Sequence, residues 1–236
     1  MAVFTTFSDI LPTPNYKITY AGQLGSPTLG FEGPGYASVK VDSVNQIMRD
    51  KTNSGRLIAR AIAAHRWEID IQYNPMTRAE FNPVSAFLQE KQGGLKPFYV
   101  ELPQYSQTGS PGTYTTSAQL FSGNTYAMIN ATIVTAPTPG DMFTISDSAN
   151  SNHTKAYMVT RVETNADYNS NVGGSPALNT QIRLHFTPSL QKNVSAGSSF
   201  VFSNPKIKVI QKSDVFSYSL GTNNLYSFSL SLEEVQ

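Results

Sequence analysis

Few side chains in this 236-residue chain could do chemistry, and they are scattered. A metal site needs imidazoles and carboxylates at ligand spacing. His65, His153 and His185 sit in different predicted elements, with no Asp or Glu at that spacing. His65 begins a strand and His185 alternates inside one, between Leu184 and Phe186, so the histidines read as surface or partner-facing residues. Asp141 and Asp147 flank another predicted strand. Calcium there would need more oxygen ligands than the segment offers, which favours turn capping. Glu233 and Glu234 are neighbours on a strand and point to opposite faces, so they cannot form an acid/base pair. The glycine-rich stretch 22–35 has neither phosphate-loop spacing nor a helix after it. No GxSxG or P-loop pattern is present. The absence of cysteine removes disulfides, thiolate zinc sites and thiol nucleophiles. The run RDKTNSGR (Arg49 to Arg56) could touch phosphates, but Asp50 inside it favours an exposed contact loop. No catalytic, cofactor-binding or metal-binding residue is assigned, no cofactor is implied, and the chain is not expected to be an enzyme.

Composition narrows the reading further. Charged residues make up 14%, against roughly 25% in an average soluble protein. Ser, Thr, Asn and Gln take their place on the surface, which repels its own copies weakly. Lys+Arg 17 against Asp+Glu 16 gives a net charge of +1, so binding of nucleic acid by charge alone is not expected. The opening MAVFTTFSDILPTP has no basic region followed by an apolar run, so it does not read as a signal peptide. No stretch approaches the roughly 20 apolar residues of a spanning helix. The expectation is a soluble protein made in the cytoplasm, with no membrane partner.

The elements are legible from periodicity. Residues 1–35 read as an extended arm broken by Pro12, Pro14, Pro27 and Pro34, with a short edge strand at Tyr16 to Tyr20. Such an arm either wanders or lies on a neighbour. Tyr36 to Met48 and Leu57 to Tyr73 read as a long hairpin around RDKTNSGR, bulged near Asp42-Ser43, where the alternation slips. Small residues Ala61, Ala63 and Ala64 in the return strand mark a place of close approach. Trp67, Ile69, Ile71 and Tyr73 alternate with polar residues as on a half-buried strand. Thr77 and Glu80 form a capping box, Phe81, Val84, Phe87 and Leu88 make one apolar stripe, and Gly93-Gly94 ends the helix, placed at 77–91. Phe98, Val100 and Leu102 then alternate up to Pro103.

Beyond a linker-like QYSQTGSPGTYTTS, strands are predicted at Tyr126 to Val134, Asp141 to Ser146, Lys155 to Val162, Gln181 to Thr187 and Ser199 to Phe202. Short strands at this spacing suggest a small barrel or sandwich inserted in the main domain. Lys206 to Val209 and Val215 to Leu220 return to that domain. A final hairpin turns at GTNN and runs through Tyr226, Phe228, Leu230 and Leu232, with serines on its other face. A serine face fits a subunit contact or a channel lining as well as it fits plain solvation. The expected domains are an arm at 1–35, a β-sandwich with its helix from 36–110 plus 205–236, and an inserted small β domain at 111–204.

PMTRAEFNPVSAFLQEKQGGLKPFYVELP resembles a group of tailed-bacteriophage virion proteins, the tail-tube-like proteins of the distal tail and baseplate. GDMFTISDSANSNHTKAYMVTRV, with Tyr157 and Val159, and the ending FSYSLGTNNLYSFSLSLEEV are similar to the same group. The resemblance covers about half the chain and implies a mainly β fold, a tail-tube-like sandwich with one flanking helix. It also implies a homo-oligomeric ring, a hexamer, that continues a tube through which DNA passes transiently and that touches other phage tail proteins in the virion. Two other readings stand beside it: a capsid or neck component, and a host-surface carbohydrate-binding module. The second would need Tyr114, Phe121, Tyr126, Tyr157 and Tyr168 to gather in an exposed groove, whereas core packing accounts for most of them.

Overall fold

Alternation of apolar and polar residues makes β4 (Arg66–Tyr73) the middle of the main sheet. The computed structural model that shows this describes residues 9–13, 34–61, 65–105, 114–131, 137–150, 153–164, 167 and 181–235. The expected arm strand at 16–20 and residues Ala63 and Ala64 lie outside the described residues. The chain divides into two units, one of residues 1–99 and 208–235, the other of residues 100–207. As expected, the fold is mainly β, with one α-helix among the described residues.

β1 (Tyr36–Val44) pairs antiparallel with β4, which pairs on its other side with β15 (Ser229–Glu234). β12 (Lys206–Gln211) and β5 (Phe98–Glu101) complete a five-stranded sheet in the order β1-β4-β15-β12-β5. Trp67, Ile69, Ile71 and Tyr73 all point to one face and are buried. Register places Leu230 beside Ile71 and Leu232 beside Ile69, so the two strands bury one continuous surface. The other face is polar. Lys212 reaches Glu68 at 2.6 Å, and Arg66 pairs with Glu68 and Glu233.

The helix α1 (Arg78–Lys91) begins as its sequence dictates. Glu80 accepts from both the backbone N–H and the hydroxyl of Thr77, each at 2.8 Å. Pro83 lies inside the helix and cannot donate to the carbonyl of Ala79, a loss confined to one bond near the start. Phe81, Val84, Phe87 and Leu88 form the buried stripe. Phe81 stacks on Tyr226 at 4.5 Å and meets Tyr218 at 4.9 Å, while Phe87 sets its edge on Phe98 at 5.4 Å. The helix turns out one residue before the expected glycines. Gln92 takes the left-handed cap at φ 54°, and Gly93 follows at φ 64°, where a Cβ would also lie 3.2 Å from Asp214 Cα.

Three local expectations are corrected. Pairing of β1 with β4 runs in register through Asp42 and Ser43, and the irregularity lies between Tyr36 and Ser38. The long hairpin is split: β2 (Ile47–Lys51) and β3 (Leu57–Ala61) form a separate two-stranded sheet. The terminal hairpin is short, because β13 (Ser219–Leu220) and β14 (Tyr226–Ser227) make only two residue pairs. β15 then leaves for the main sheet, where burying Leu230 and Leu232 outweighs continuing the hairpin.

In the second unit β6 (Tyr114–Thr116), β7 (Tyr126–Ala131), β8 (Met142–Ser146), β9 (Ala156–Glu163), β10 (Gln181–Thr187) and β11 (Ser199–Val201) close into a barrel, ordered β10-β7-β6-β11-β8-β9. Phe143 sits at its centre, 5.0 to 5.6 Å from the rings of Tyr157, Phe186, Phe200 and Phe202. β6 lies at the end of the stretch that composition marks as linker. Its Tyr114 is buried against Phe202, so packing overrides local composition.

Phe81→Ala should destabilise the fold by about 3–5 kcal/mol, because it empties the centre of an aromatic cluster. Chemical denaturation of the variant measures this loss.

Candidate functional site

The residues singled out for chemistry each meet partners within their own unit. His65 and His153 are buried, which corrects their reading as surface residues. His65 Nε2 lies 2.9 Å from Ser43 Oγ, and its ring sets its edge on Trp67 at 4.5 Å. His153 Nε2 lies 2.9 Å from the hydroxyl of Tyr157. Burial pushes the His153 imidazole below its ordinary range, and Lys192 adds to this, while Asp147 opposes it. His185 is half-buried and faces Glu163 at 3.1 Å. Sequence spacing missed that carboxylate because it lies on the neighbouring strand.

Asp147 accepts backbone N–H bonds from Ala149 and Ser195, each at 2.9 Å. The Ser195 bond, with that of Ala149, holds its carboxyl below the usual range against the cost of burial. Asp141 accepts from the N–H and hydroxyl of Thr138 at 2.7 and 3.0 Å. Both aspartates thus fasten turns. Glu234 is buried and accepts the backbone N–H of Trp67 at 3.1 Å, while Glu233 faces Arg66. The two neighbours do point apart. Among the described residues no three His, Asp or Glu side chains gather as a metal-ligand set, and no helix is long and apolar enough to cross a membrane.

Of the aromatic residues that a saccharide groove would need, Tyr114 and Tyr157 are core residues and Tyr168 lies outside the described residues. Phe121 and Tyr126 are exposed. Serines do line a cleft of about 420 Å³ in the first unit. Ser217, Ser219, Ser227 and Ser229 share it with Tyr218 and Phe228.

The most distinctive features are edges and exposed strands in the first unit. At the β5 edge, residues 9–11 close the sheet from within: Leu11 N–H donates to Tyr99 O at 2.8 Å, and Tyr99 N–H to Asp9 O at 2.6 Å. Lys91 clasps Asp9 at 2.7 Å, and the Tyr73 hydroxyl donates to Pro12 O at 3.0 Å. Burial pushes that phenol's pKa well up. At the other edge, β1 pairs only with β4 among the described residues. Lys40 and Asp42 pair with each other on β1, so the edge carries charge without net charge.

β2 and β3 follow β1 in the chain and pair with each other as a hairpin. Thr52 O accepts the Gly55 N–H at 2.8 Å and Thr52 N–H donates to Arg56 O at 3.0 Å, closing a turn with Gly55 at φ 81°. Part of the expected RDKTNSGR loop, Arg49 to Lys51, is therefore strand. Ile47, Met48, Leu57 and Ile58 all stand exposed, Met48 at 61% and Leu57 at 60%. Neighbouring residues point to opposite faces, so both faces of the hairpin present apolar side chains.

The fold defines a mainly β protein, and its first unit carries an open sheet edge and exposed apolar strands among the described residues. Residues 27–105 match the family described as distal tail protein pb9, A domain, N-terminal. Over 210 residues the chain is 26% identical to the distal tail protein pb9 of Escherichia phage T5, covering 86% of this chain and 94% of that protein. Together they support the resemblance to phage distal tail proteins read from the packing motifs.

Two outcomes follow from the buried polar groups. Asp147→Ala strands two backbone donors and should cost about 3 kcal/mol of stability, measured by denaturant titration. Because the folded His153 binds its proton less readily than the unfolded one, the unfolded chain holds more protons below its ordinary pKa of about 6.5. Stability should therefore fall as pH drops from there through the folded value. His153→Gln should flatten that limb in a series of thermal melts.

Proposed function

We propose that this chain is a structural component of a bacteriophage tail, a distal tail or tube-initiating ring of the baseplate. It assembles with its own copies into a ring, a hexamer, around the channel that DNA crosses, and it contacts adjacent tail proteins. Its work is mechanical and not enzymatic, and its place is the virion. The likeness to distal tail protein pb9 supports the tail setting.

One observation carries the assembly reading: the exposed apolar hairpin of β2 and β3. An isolated two-stranded hairpin is marginally stable in water. This one has apolar side chains on both faces and no layer covering them among the described residues. Burying Ile47, Met48, Leu57 and Ile58 against a neighbouring copy or tail protein would stabilise it by roughly 1.5–3 kcal/mol for each side chain fully covered. The open β1 edge offers a second contact, in which a neighbour's strand completes the ladder. A closed ring follows when one such heterologous contact repeats through a rotation that closes.

Ile58→Lys combined with Met48→Lys should abolish ring assembly while leaving the stability of the single chain within about 0.5 kcal/mol, since both sites are exposed. Mass photometry of the parent and variant, alone and with purified tail partners, reads the outcome. A parent protein that stays monomeric at high concentration and with those partners would sink the ring.

A further inference from the structure

The outward face of β7, β9 and β10 holds a side-chain cluster that neither the core nor the assembly reading uses. Register sets it in rows. Tyr126, His185 and Arg161 lie side by side, Met128, Arg183 and Glu163 form the next row, and Asn130 and Gln181 the third. The residues between them, Ala127, Ile129, Ile182, Leu184 and Phe186, fill the barrel, so the rows stand on the outside.

Glu163 organises the cluster. Its side chain is only 7% exposed although it is on the outer face, because Arg161 Nη2 approaches it at 2.7 Å, His185 Nε2 at 3.1 Å and Arg183 Nη1 at 3.7 Å. Burial works against its charge, but the neighbouring His185 and the charges of Arg161 and Arg183 outweigh it. Arg183 lies over the ring of Tyr126 at 4.0 Å, and the Gln181 amide donates to Asn130 Oδ1 at 2.9 Å. One carboxylate against two permanent cations and an imidazole leaves the cluster positive, in a chain whose whole net charge is +1.

The geometry points to a binding site for an acidic saccharide, a sugar that carries a carboxylate. Arg161, with its side chain 62% exposed, receives the carboxylate. A guanidinium has five donors in a planar fork, and Glu163 and His185 both approach through the one nitrogen Nη2. Tyr126, 43% exposed, offers an aromatic surface to the apolar face of a sugar ring. The amide pair of Gln181 and Asn130 matches sugar hydroxyls, which both donate and accept. Glu163 and Arg183 are positioning residues: one holds Arg161 and His185, the other holds Tyr126.

Other anions fit less well. A closed barrel has no free edge, so an acidic peptide would find no ladder for its main chain. Nucleic acid brings a phosphate at every step and would need more than this one positive cluster. The inference is independent of the assembly reading, since every residue it uses lies in the second unit.

Isothermal titration of the full chain with trigalacturonate, its methyl ester and hexaglutamate tests it. Trigalacturonate should bind saturably, and the ester and the peptide should bind at least about tenfold more weakly, since the ester loses the bidentate charge contact and the peptide finds no ladder. Arg161→Ala should weaken trigalacturonate by about tenfold or more, and Arg161→Lys should not restore it, because lysine lacks the fork. Tyr126→Ala should weaken it several-fold. Unchanged thermal midpoints will show that the variants fold. Equal binding of the ester or of hexaglutamate would overturn the assignment, as would an Arg161→Ala protein that binds like the parent. So would failure to bind trigalacturonate together with an array of uronic-acid and sialylated glycans.

Discussion

The pairing state of the two outer edges of the five-stranded sheet governs what the first unit can do. Backbone N–H and C=O groups at an edge must find partners in water, in the same chain or in another chain. At β5 the chain supplies them itself, through residues 9–11 and the Lys91–Asp9 clasp. That edge is spent. At β1 no such cover is present among the described residues, and the next two strands, β2 and β3, pair only with each other. A head-to-tail contact needs two distinct surfaces, so strand pairing at β1 would have to meet a different patch of the neighbour.

The charge pattern of that edge is consistent with controlled pairing. A bare lysine on an edge strand discourages a neighbour from pairing. Lys40 is not bare, because Asp42 neutralises it on the same face. The pair raises the cost of indiscriminate stacking, yet a partner bearing matching charges could satisfy both. The low charged fraction of the whole chain acts in the same direction, since few like charges oppose close approach of copies.

Local periodicity made much of the fold legible. Trp67 to Tyr73 alternate with period two and form β4, and Thr77 with Glu80 starts the helix because the cap is satisfied within four residues. What failed was what alternation and capping do not encode. His65 and His153 looked like surface residues because the contacts that bury them, with Trp67 and with Tyr157, show no ligand pattern along the chain. The terminal hairpin looked long because its alternation continues through Leu232, but alternation does not say which strand is the neighbour. β15 inserts between β4 and β12. The stop at Gln92 was hidden too, because a glutamine in the left-handed region has no sequence signal, while Gly93-Gly94 beside it has a strong one. The Glu163 cluster was invisible because Arg183 and His185 reach it only through barrel register, although Arg161 shares its strand two residues away.

The two units therefore present different kinds of surface, and the difference follows from closure. A barrel satisfies every strand edge within itself, so it can offer a partner only side-chain chemistry on its faces. An open sheet with a separate hairpin offers backbone as well, and backbone pairing is indifferent to most side chains. An open edge suits repeated contacts among identical copies, whose geometry is fixed by symmetry. A closed face with a few oriented polar groups suits a ligand that must be told from its chemical relatives. Glu163 is informative in this respect. Burying a carboxylate beneath two guanidiniums on the outside of a barrel contributes little to a core that Phe143 and its neighbours already fill. What it does contribute is orientation, because Arg161, His185 and, through Arg183, Tyr126 are all held in fixed positions relative to one another.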